Sequence, residues 1–513
     1  MASLISGAVS LSAARDGWAQ TAPVPNGITL AEAMRMAVGR NPALAGNFVD
    51  VDIADARVLA ARGLDDFVID ASGTWTHTRA DNTPAQATSF SPYDLVDLAA
   101  SLTRPFSTGG TVALKLDVPY IRRGYAGDST ASAVGPTEAI QGYIPSVQLA
   151  LTQPLLRGRG YDVARAKIRQ ANADRGVASR QLVAQASIVL RDVARAYWEL
   201  AFATGQLALR RDALEATREQ LRAVMAQIDV GKQSPSGSAE VEVNVALRQE
   251  ELVDAERELT ERSADFGRLL GVEAIAPAFR TIDAPAVLAP SGEDLLARAL
   301  AENGEIAALH AQATAASIDV DVAENALLPA FNLVASGGAL GIAADAKEAF
   351  SNMVNFGGYT MQAGFVFQEP VERRGQRGAR DEALERMHKA RLAETEARTR
   401  VASEVAAAMA ALDATQQRAA VLAHAVEVAD LDLAGEKARF QANRSTNFDV
   451  LRRQQTATEV RLRLLRAEAD NAKSAASLDA LTTDILSRHR IVLRGAPPHP
   501  SPPPAREGDR RAR

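Results

Sequence analysis

Val193-Ala194-Arg195-Ala196-Tyr197-Trp198-Glu199-Leu200 opens a stretch in which Val193, Leu200, Leu207, Leu214, Leu221 and Ile228 fall seven residues apart. That interval returns an apolar side chain to one helix face every second turn and predicts a long helix with a packing seam. Adding 212 to each number gives Val405, Leu412, Ala419, Val426, Leu433 and Phe440, a second seam at the same interval. Six matched positions at one offset mark an internal duplication.

Outside the seams the two halves keep the same order. Asn41-Pro42-Ala43-Leu44 precedes a helical pattern and then Phe67-Val68-Ile69-Asp70; Asn303-Gly304-Glu305-Ile306 does so before Phe331-Asn332-Leu333-Val334. Leu151-Thr152-Gln153-Pro154 leads into one long helix and Phe367-Gln368-Glu369-Pro370 into the other. Each half reads helix, strands, very long helix, tight turn, returning helix. The long helices are expected over 162–230 and 377–442 and, at 1.5 Å per residue, the first would span roughly 100 Å. Gly231-Lys232-Gln233-Ser234-Pro235 and Asn443-Arg444-Ser445-Thr446-Asn447 carry the stop-and-restart chemistry of helix ends. Returning helices are expected over 238–270 and 447–488, and shorter helices over 30–65 and 292–328. The domain division is therefore a first repeat over 28–280 and a second over 281–490. They are flanked by a signal-like or disordered 1–27 and a disordered Pro-rich tail, 491–513.

Four stretches of the first half alternate with period two: 67–79, 94–104, 110–120 and 144–155. Two of the second half do likewise, 330–337 and 360–369. Val96, Leu98, Ala100 and Leu102 interleave with Asp97, Ala99, Ser101 and Thr103, for example. Alternation alone fits a half-buried soluble sheet as well as a lipid-facing barrel wall; the duplication and the helix lengths tip it toward the barrel. Trp75 and Tyr359 belong either to an aromatic girdle or to a core. The polar stretches 80–93 and 121–143 read as outer loops.

Composition narrows the class. The 513 residues are 47 % hydrophobic, 23 % charged and only 5 % aromatic, which suits long, closely packed helices. A net charge of −6 without a basic domain argues against nucleic acid. There is no cysteine, so thiol catalysis and Cys-based metal sites are excluded. No apolar run reaches the length of a membrane helix, so a membrane crossing would require a barrel. The six histidines have no metal-ligand spacing, no nucleophile elbow occurs, and the Gly-x-Gly at Gly158–Gly160 completes no phosphate fingerprint. An enzyme is not expected, and no cofactor or metal.

Several short motifs in this frame resemble the TolC-type outer-membrane factor family across about residues 28–490. They are the Asn-Pro-x-Leu at Asn41, Gln153-Pro154-Leu155-Leu156-Arg157-Gly158 between strand and long helix, and Leu269-Leu270-Gly271 closing the first returning helix. The second turn matches best: where the family has Gly-x-x-Thr-x-x-Asp-Val-Leu, this chain has Asn443-Arg444-Ser445-Thr446-Asn447-Phe448-Asp449-Val450-Leu451. The resemblance implies an α+β membrane protein: a trimeric outer-membrane β-barrel continuous with a long periplasmic α-helical barrel, built from two tandem repeats. It also implies that Asp449 lines the closed periplasmic tip. Phe440 stands where the best-known member has a gating tyrosine, Ser445 where it has a gating arginine, and Arg452 where it has a second constricting aspartate. The expected gate is thus Phe440, Ser445, Asp449 and Arg452, with one acid kept and a double-aspartate cation ring in doubt. Gly231, Lys232, Asn443 and Arg444 are the expected tip or adaptor contacts.

By the same resemblance the chain is a homotrimeric channel in the outer membrane of a Gram-negative bacterium. It contacts outer-membrane lipid, a periplasmic adaptor and an inner-membrane pump, and serves efflux or type I secretion. The competing reading is an elongated coiled-coil periplasmic scaffold, which would share the seams but not need the strands. One departure stands out. The family implies four barrel strands per protomer, whereas 94–120 adds a hairpin whose Thr103-Arg104-Pro105-Phe106 echoes Thr152-Gln153-Pro154-Leu155. Six strands per protomer and a wider pore are expected if that hairpin lies in the wall.

Overall fold

A computed structural model describes residues 27–78, 93–123, 140–229, 236–272, 295–442 and 444–496, with Phe279, Thr281 and Asp283. The expected signal-like segment, most of both polar loops, the turn residues Gly231, Lys232 and Asn443, and the tail beyond 496 lie outside the described residues. In chain order the elements are α1 (Leu30–Arg40), α2 (Pro42–Arg62), β1 (Val68–Thr78), β2 (Tyr93–Pro105), β3 (Thr111–Arg123), β4 (Ile140–Tyr143), β5 (Ser146–Pro154), α3 (Tyr161–Ala164), α4 (Ala166–Asp229), α5 (Ser236–Leu269), α6 (Leu295–Glu302), α7 (Gly304–Ala326), β6 (Ala330–Leu340), α8 (Ala346–Val354), β7 (Gly358–Gln368), α9 (Arg374–Gln441), α10 (Asn447–Leu481) and α11 (Asp484–Arg488). The chain forms two compact units: one from residues up to Asp52, Val177–Leu309 and Ala393 onward, the other from Ile53–Gly176 and His310–Leu392. No described helix is long and apolar enough to cross a membrane.

The first unit is helical. Every seam position of α4 and α9 is buried or half-buried, and none is exposed. The main core gathers Met34, Leu44, Leu190, Val193, Leu200, Phe266 and Ile485 around a fully buried Tyr197. The Tyr197 hydroxyl donates to the Ile28 carbonyl oxygen at 3.1 Å and accepts from the Asp283 N–H at 3.1 Å, so its one polar atom is satisfied and its ring stays in the core. Leu493 is buried in this core with Ile491 against it, and the Ser179 hydroxyl donates to the Gly495 carbonyl. Residues 491–496, counted above with the Pro-rich tail, therefore belong to the fold, because two apolar side chains precede the prolines.

The short helices expected over 30–65 and 292–328 are each broken once, and by the same residue type. Asn41 lies between α1 and α2; its side-chain oxygen accepts from the Ala43 and Leu44 N–H groups, and its amide donates to the Leu269 carbonyl at 2.8 Å. Asn303, between α6 and α7, accepts from Glu305 and Ile306 and donates to the Leu481 carbonyl at 3.0 Å. One asparagine thus caps a new helix and satisfies the end of another. The acceptors, Leu269 and Leu481, are again 212 apart. Two residues on, Gly271 has φ +68°, and a Cβ there would lie 2.2 Å from the Arg40 carbonyl oxygen. Its counterpart, Thr483, adopts φ +62° despite its side chain, whose hydroxyl donates to the Glu302 carbonyl at 2.8 Å. That left-handed residue ends α10, so the expected helix over 447–488 is α10 and α11. Nearby, Asp479 pairs with Arg488 at 2.7 Å. Burial pushes its carboxyl up to about 6 against the pull of Arg488.

The second unit holds one antiparallel sheet in the order β1-β2-β3-β5-β6-β7, with β4 extending the pairing of β3. Hairpin β2–β3 lies within the sheet, between β1 and β5, with both ladders continuous. Its turn is bolted down at a second place: Gly160 N–H donates to the Thr108 carbonyl at 3.1 Å, and Thr108 Oγ1 donates to Gln153 at 3.0 Å. Gly109, at φ +91°, passes so close to Gly158 that a Cβ would fall 2.1 Å from its carbonyl oxygen. The ladders align one side chain of each strand in rows. One row runs Ile69, Leu102, Leu114, Leu149, Gly337, Met361; the next runs Ala71, Ala100, Leu116, Val147, Ala339, Tyr359. The opposite face carries Asp70, Ser101, Lys115, Gln148, Gly338 and Thr360 in one row. On the apolar face Ile69 is 75 % and Met361 82 % exposed. Trp75 and Tyr359, at 70 % and 73 %, lie on it too, which removes the core alternative for both.

Candidate gate at the second hairpin turn

The last turns of α9 put Leu433, Glu436 and Phe440 on one face, three and four residues apart. All three are buried or half-buried, with Glu436 only 7 % exposed. A buried carboxylate needs partners. Glu436 has Arg439 at 3.2 Å and accepts a short hydrogen bond from the Ser445 hydroxyl. Ser445, across the turn, is thereby tied to the helix that precedes it.

Thr446 then starts α10 with a capping box. The Asp449 N–H donates to Thr446 Oγ1 at 3.3 Å, and Asp449 Oδ2 accepts from the Thr446 hydroxyl at 2.6 Å and its N–H at 3.4 Å. The Thr446 hydroxyl, its N–H and the charges of Arg453 and Arg452 hold the Asp449 carboxyl below the usual carboxylate range. Asp449 is therefore anionic at neutral pH and occupied locally. Its first measurable task is to start a helix, where the dipole favours an acid.

Among the described residues, two contacts join this turn to the other hairpin. Asn447 is 7 % exposed, and Gln220 of α4 donates to its side-chain oxygen at 2.5 Å. The Asn447 amide nitrogen has no partner. Leu451 packs with Val224 of α4 and Val241 of α5 in a small separate core that Leu221 and Ile228 border. Ion pairs run between the two helices of each hairpin: the half-buried Arg210–Glu251 at 2.7 Å and the exposed Arg211–Glu256 at 3.2 Å in the first, and the exposed Arg453–Asp432 at 3.1 Å and Arg461–Asp430 at 2.8 Å in the second. The exposed pairs contribute about 0–1 kcal/mol each.

Of the expected gate residues, Ser445 and Asp449 therefore sit in the turn with named partners, Phe440 is buried on α9, and Arg452 is exposed one turn into α10. Arg444 is exposed in the turn, its N–H donating to the Arg439 carbonyl at 2.8 Å. Glu436, Gln220 and Asn447 were not singled out from sequence. A signal existed for two of them. Glu436 lies between the seam positions Leu433 and Phe440 on the same helix face, and Asn447 stands four residues before Leu451 on the face that α10 buries.

A model of the outer membrane efflux protein family matches residues 138–272 and 295–483, well over half of the chain. The outer membrane efflux protein BepC of Brucella suis biovar 1 (strain 1330) is 27 % identical over 266 residues, 51 % of this chain and 56 % of that protein. The chain thus spans little more than half the length of that relative. Among solved structures, the outer membrane protein VceC of Vibrio cholerae superposes with a TM-score of 0.61 at 16 % identity, over 88 % of this chain and 96 % of its own. The CmeC outer membrane channel of Campylobacter jejuni gives 0.61 at 14 % identity, over 88 % and 85 %. At such identities the likeness to the two structures speaks for the fold.

Proposed function

The chain belongs to the outer membrane efflux protein family, and from that membership we propose that three copies form a channel in the outer membrane of a Gram-negative bacterium. The observation that carries the reading is the sheet. One face carries apolar side chains on all six strands, with Ile69, Leu98, Leu114, Leu149 and Met361 exposed, the other carries most of the polar ones, and β1 and β7 are the edges of the sheet among the described residues. An apolar sheet face of this extent needs lipid or a partner, and long open edges need pairing. A closed barrel with lipid outside and water inside meets both needs.

In this reading the two halves, 28–280 and 281–490, are tandem repeats, supported by the paired seams and the paired asparagine caps. Their long helices line a periplasmic tunnel that docks to an adaptor and an inner-membrane pump. The channel passes small molecules or proteins outward and performs no catalysis. The gate is the α9–α10 turn: Glu436 and Ser445 brace it, Asp449 and Thr446 cap it, and Gln220–Asn447 holds it to the first hairpin. Phe440 and Arg452 flank that turn, and Arg444 is a proposed adaptor contact, as are Gly231, Lys232 and Asn443, which lie outside the described residues. Few polar contacts hold the turn, which suits a two-state opening. The scaffold alternative leaves the exposed apolar face without a purpose.

The test is fractionation and electrophysiology of the full chain. Heat-modifiable trimers in the outer-membrane fraction, with channel activity in planar bilayers, are expected. A soluble rod with no channel activity would refute the proposal.

A further inference from the structure

We infer that each protomer contributes six strands to the transmembrane wall, so that three copies close a barrel of eighteen; the inference rests on the trimeric channel proposed above. The inserted hairpin β2–β3 carries it. The hairpin's place between β1 and β5, with β2 paired to β1 along Tyr93–Thr103 and β3 paired to β5 along Thr111–Asp117 and to β4 along Tyr120–Arg123, makes it part of the sheet and not an outer loop folded against it.

The hairpin also carries its own lipid-facing band. Along the apolar face of β2, Asp94 and Arg104 bracket Val96, Leu98, Ala100 and Leu102. Asp94 pairs with His77 at 2.8 Å, and the Arg104 guanidinium lies over the Phe67 ring at 4.6 Å. The bracket spans ten residue steps. At about 3.4 Å per step and a tilt of about 40°, that is a height of roughly 26 Å, against about 25 Å for the apolar band of an outer-membrane barrel. β3 continues it with Val112, Leu114, Leu116 and Val118, ending at Arg122 opposite Asp94. A hairpin meant for water would have no reason to keep charges off one face over that height.

The edges name the occupant. β1 and β7 are each eleven residues long. Six antiparallel strands leave β7 running opposite to β1, so β7 of one copy can pair antiparallel with β1 of the next. The strand count also remains even, as closed antiparallel barrels require. Eighteen strands at about 4.8 Å spacing and about 40° tilt give a backbone diameter of about 36 Å, against about 24 Å for twelve. Side chains reach about 5 Å inward, half the spacing of packed sheets, so the lumen is about 26 Å rather than about 14 Å wide, a roughly threefold larger cross-section. The polar face of the hairpin brings Asp97, Lys115 and Asp117 to that lumen.

The test is a strand count by electron cryomicroscopy of the full chain purified from outer membranes, alongside a variant lacking residues 93–139. Eighteen strands under threefold symmetry are expected, with twelve in the variant. A threefold barrel of twelve strands with 93–123 outside the wall overturns this inference and leaves the channel standing. Particles without threefold symmetry or without a barrel overturn the channel reading itself. Should the deletion variant fail to assemble, the count on the full chain decides alone.

Discussion

The Gln220–Asn447 contact offers the sharpest test of the gate, because among the described residues it is the polar link from the second turn to the first hairpin. Gln220→Ala removes the donor and leaves the Asn447 side chain, 7 % exposed, with both ends of its amide unpaired. A hydrogen bond of this kind contributes a net stability of about 1 kcal/mol. If the turn as described is the closed one, that bond belongs to the closed state; on opening, water can take its place. The substitution therefore weakens the closed state by about 1 kcal/mol per copy, roughly a fivefold rise in the open-to-closed ratio. If three copies move together the effects multiply to about 10²-fold; if each moves alone, the change remains near fivefold. Planar-bilayer recordings of wild type, Gln220→Ala, Asn447→Ala and the double variant separate these cases. The double variant should open no more than either single variant, since each removes the same bond. A closed-state current unchanged in Gln220→Ala, with the trimer intact, would refute the reasoning.

Three further outcomes are expected. Asp449→Ala should raise basal conductance in bilayers; if it acts through the capping box, Thr446→Ala should match it, and an unchanged closed-state current in both counts against a gating role. Asn41→Ala and Asn303→Ala should each lower stability by about 2 kcal/mol, since each strands buried backbone groups; denaturant midpoints that differ widely would show that the two caps are not equivalent. Asp479 is proton-bound in the fold up to about pH 6 but only to about 4 unfolded, so stability should fall as pH rises through that window, by the order of ~3 kcal/mol. Asp479→Asn should flatten that slope, and a slope unaltered by the substitution would move its origin elsewhere.

Periodicity was the part of the fold most open to reading from sequence. The seams of α4 and α9, the alternation of the main strands and the stop signals at the turns each depend on local spacing. The breaks at Asn41 and Asn303 were less open. A capping asparagine is local, but its choice between capping and continuing depends on a carbonyl more than 170 residues away at Leu481 or Leu269. β4 and α8 escaped for a related reason: each is short, β4 pairing only with the end of β3 and α8 packing beside β6, and neither repeats a pattern. At the candidate gate the capping box was legible, because Thr446 and Asp449 are neighbours. Gln220 and Asn447 are 227 residues apart, and only the packing of four helices brings them together. Glu436, on the face between Leu433 and Phe440, was not singled out, and its partner Ser445 lies across the turn.

The inserted hairpin bears on where transport is limited. A single added strand would reverse every downstream strand of the sheet; a pair does not. Tyr93 and Arg123, the two ends of the hairpin, are partners in the β2–β3 ladder, and Tyr93 also faces Thr78, the end of β1. The chain therefore leaves the insertion at the same rim at which it entered. Nothing else in the sheet has to change direction, and neither long helix gains or loses a residue. In the proposed channel, strand number can thus change without altering the sequence of the α9–α10 turn. If that turn is the constriction, barrel and gate act as resistances in series, and the narrower one sets the current. Removing residues 93–139 should then leave the closed-state conductance unchanged, even though the barrel cross-section falls roughly threefold. It should matter in the Gln220→Ala background, where the turn spends more time open. A closed-state current that drops with the deletion alone would put the limiting resistance in the sheet and remove the turn from the mechanism.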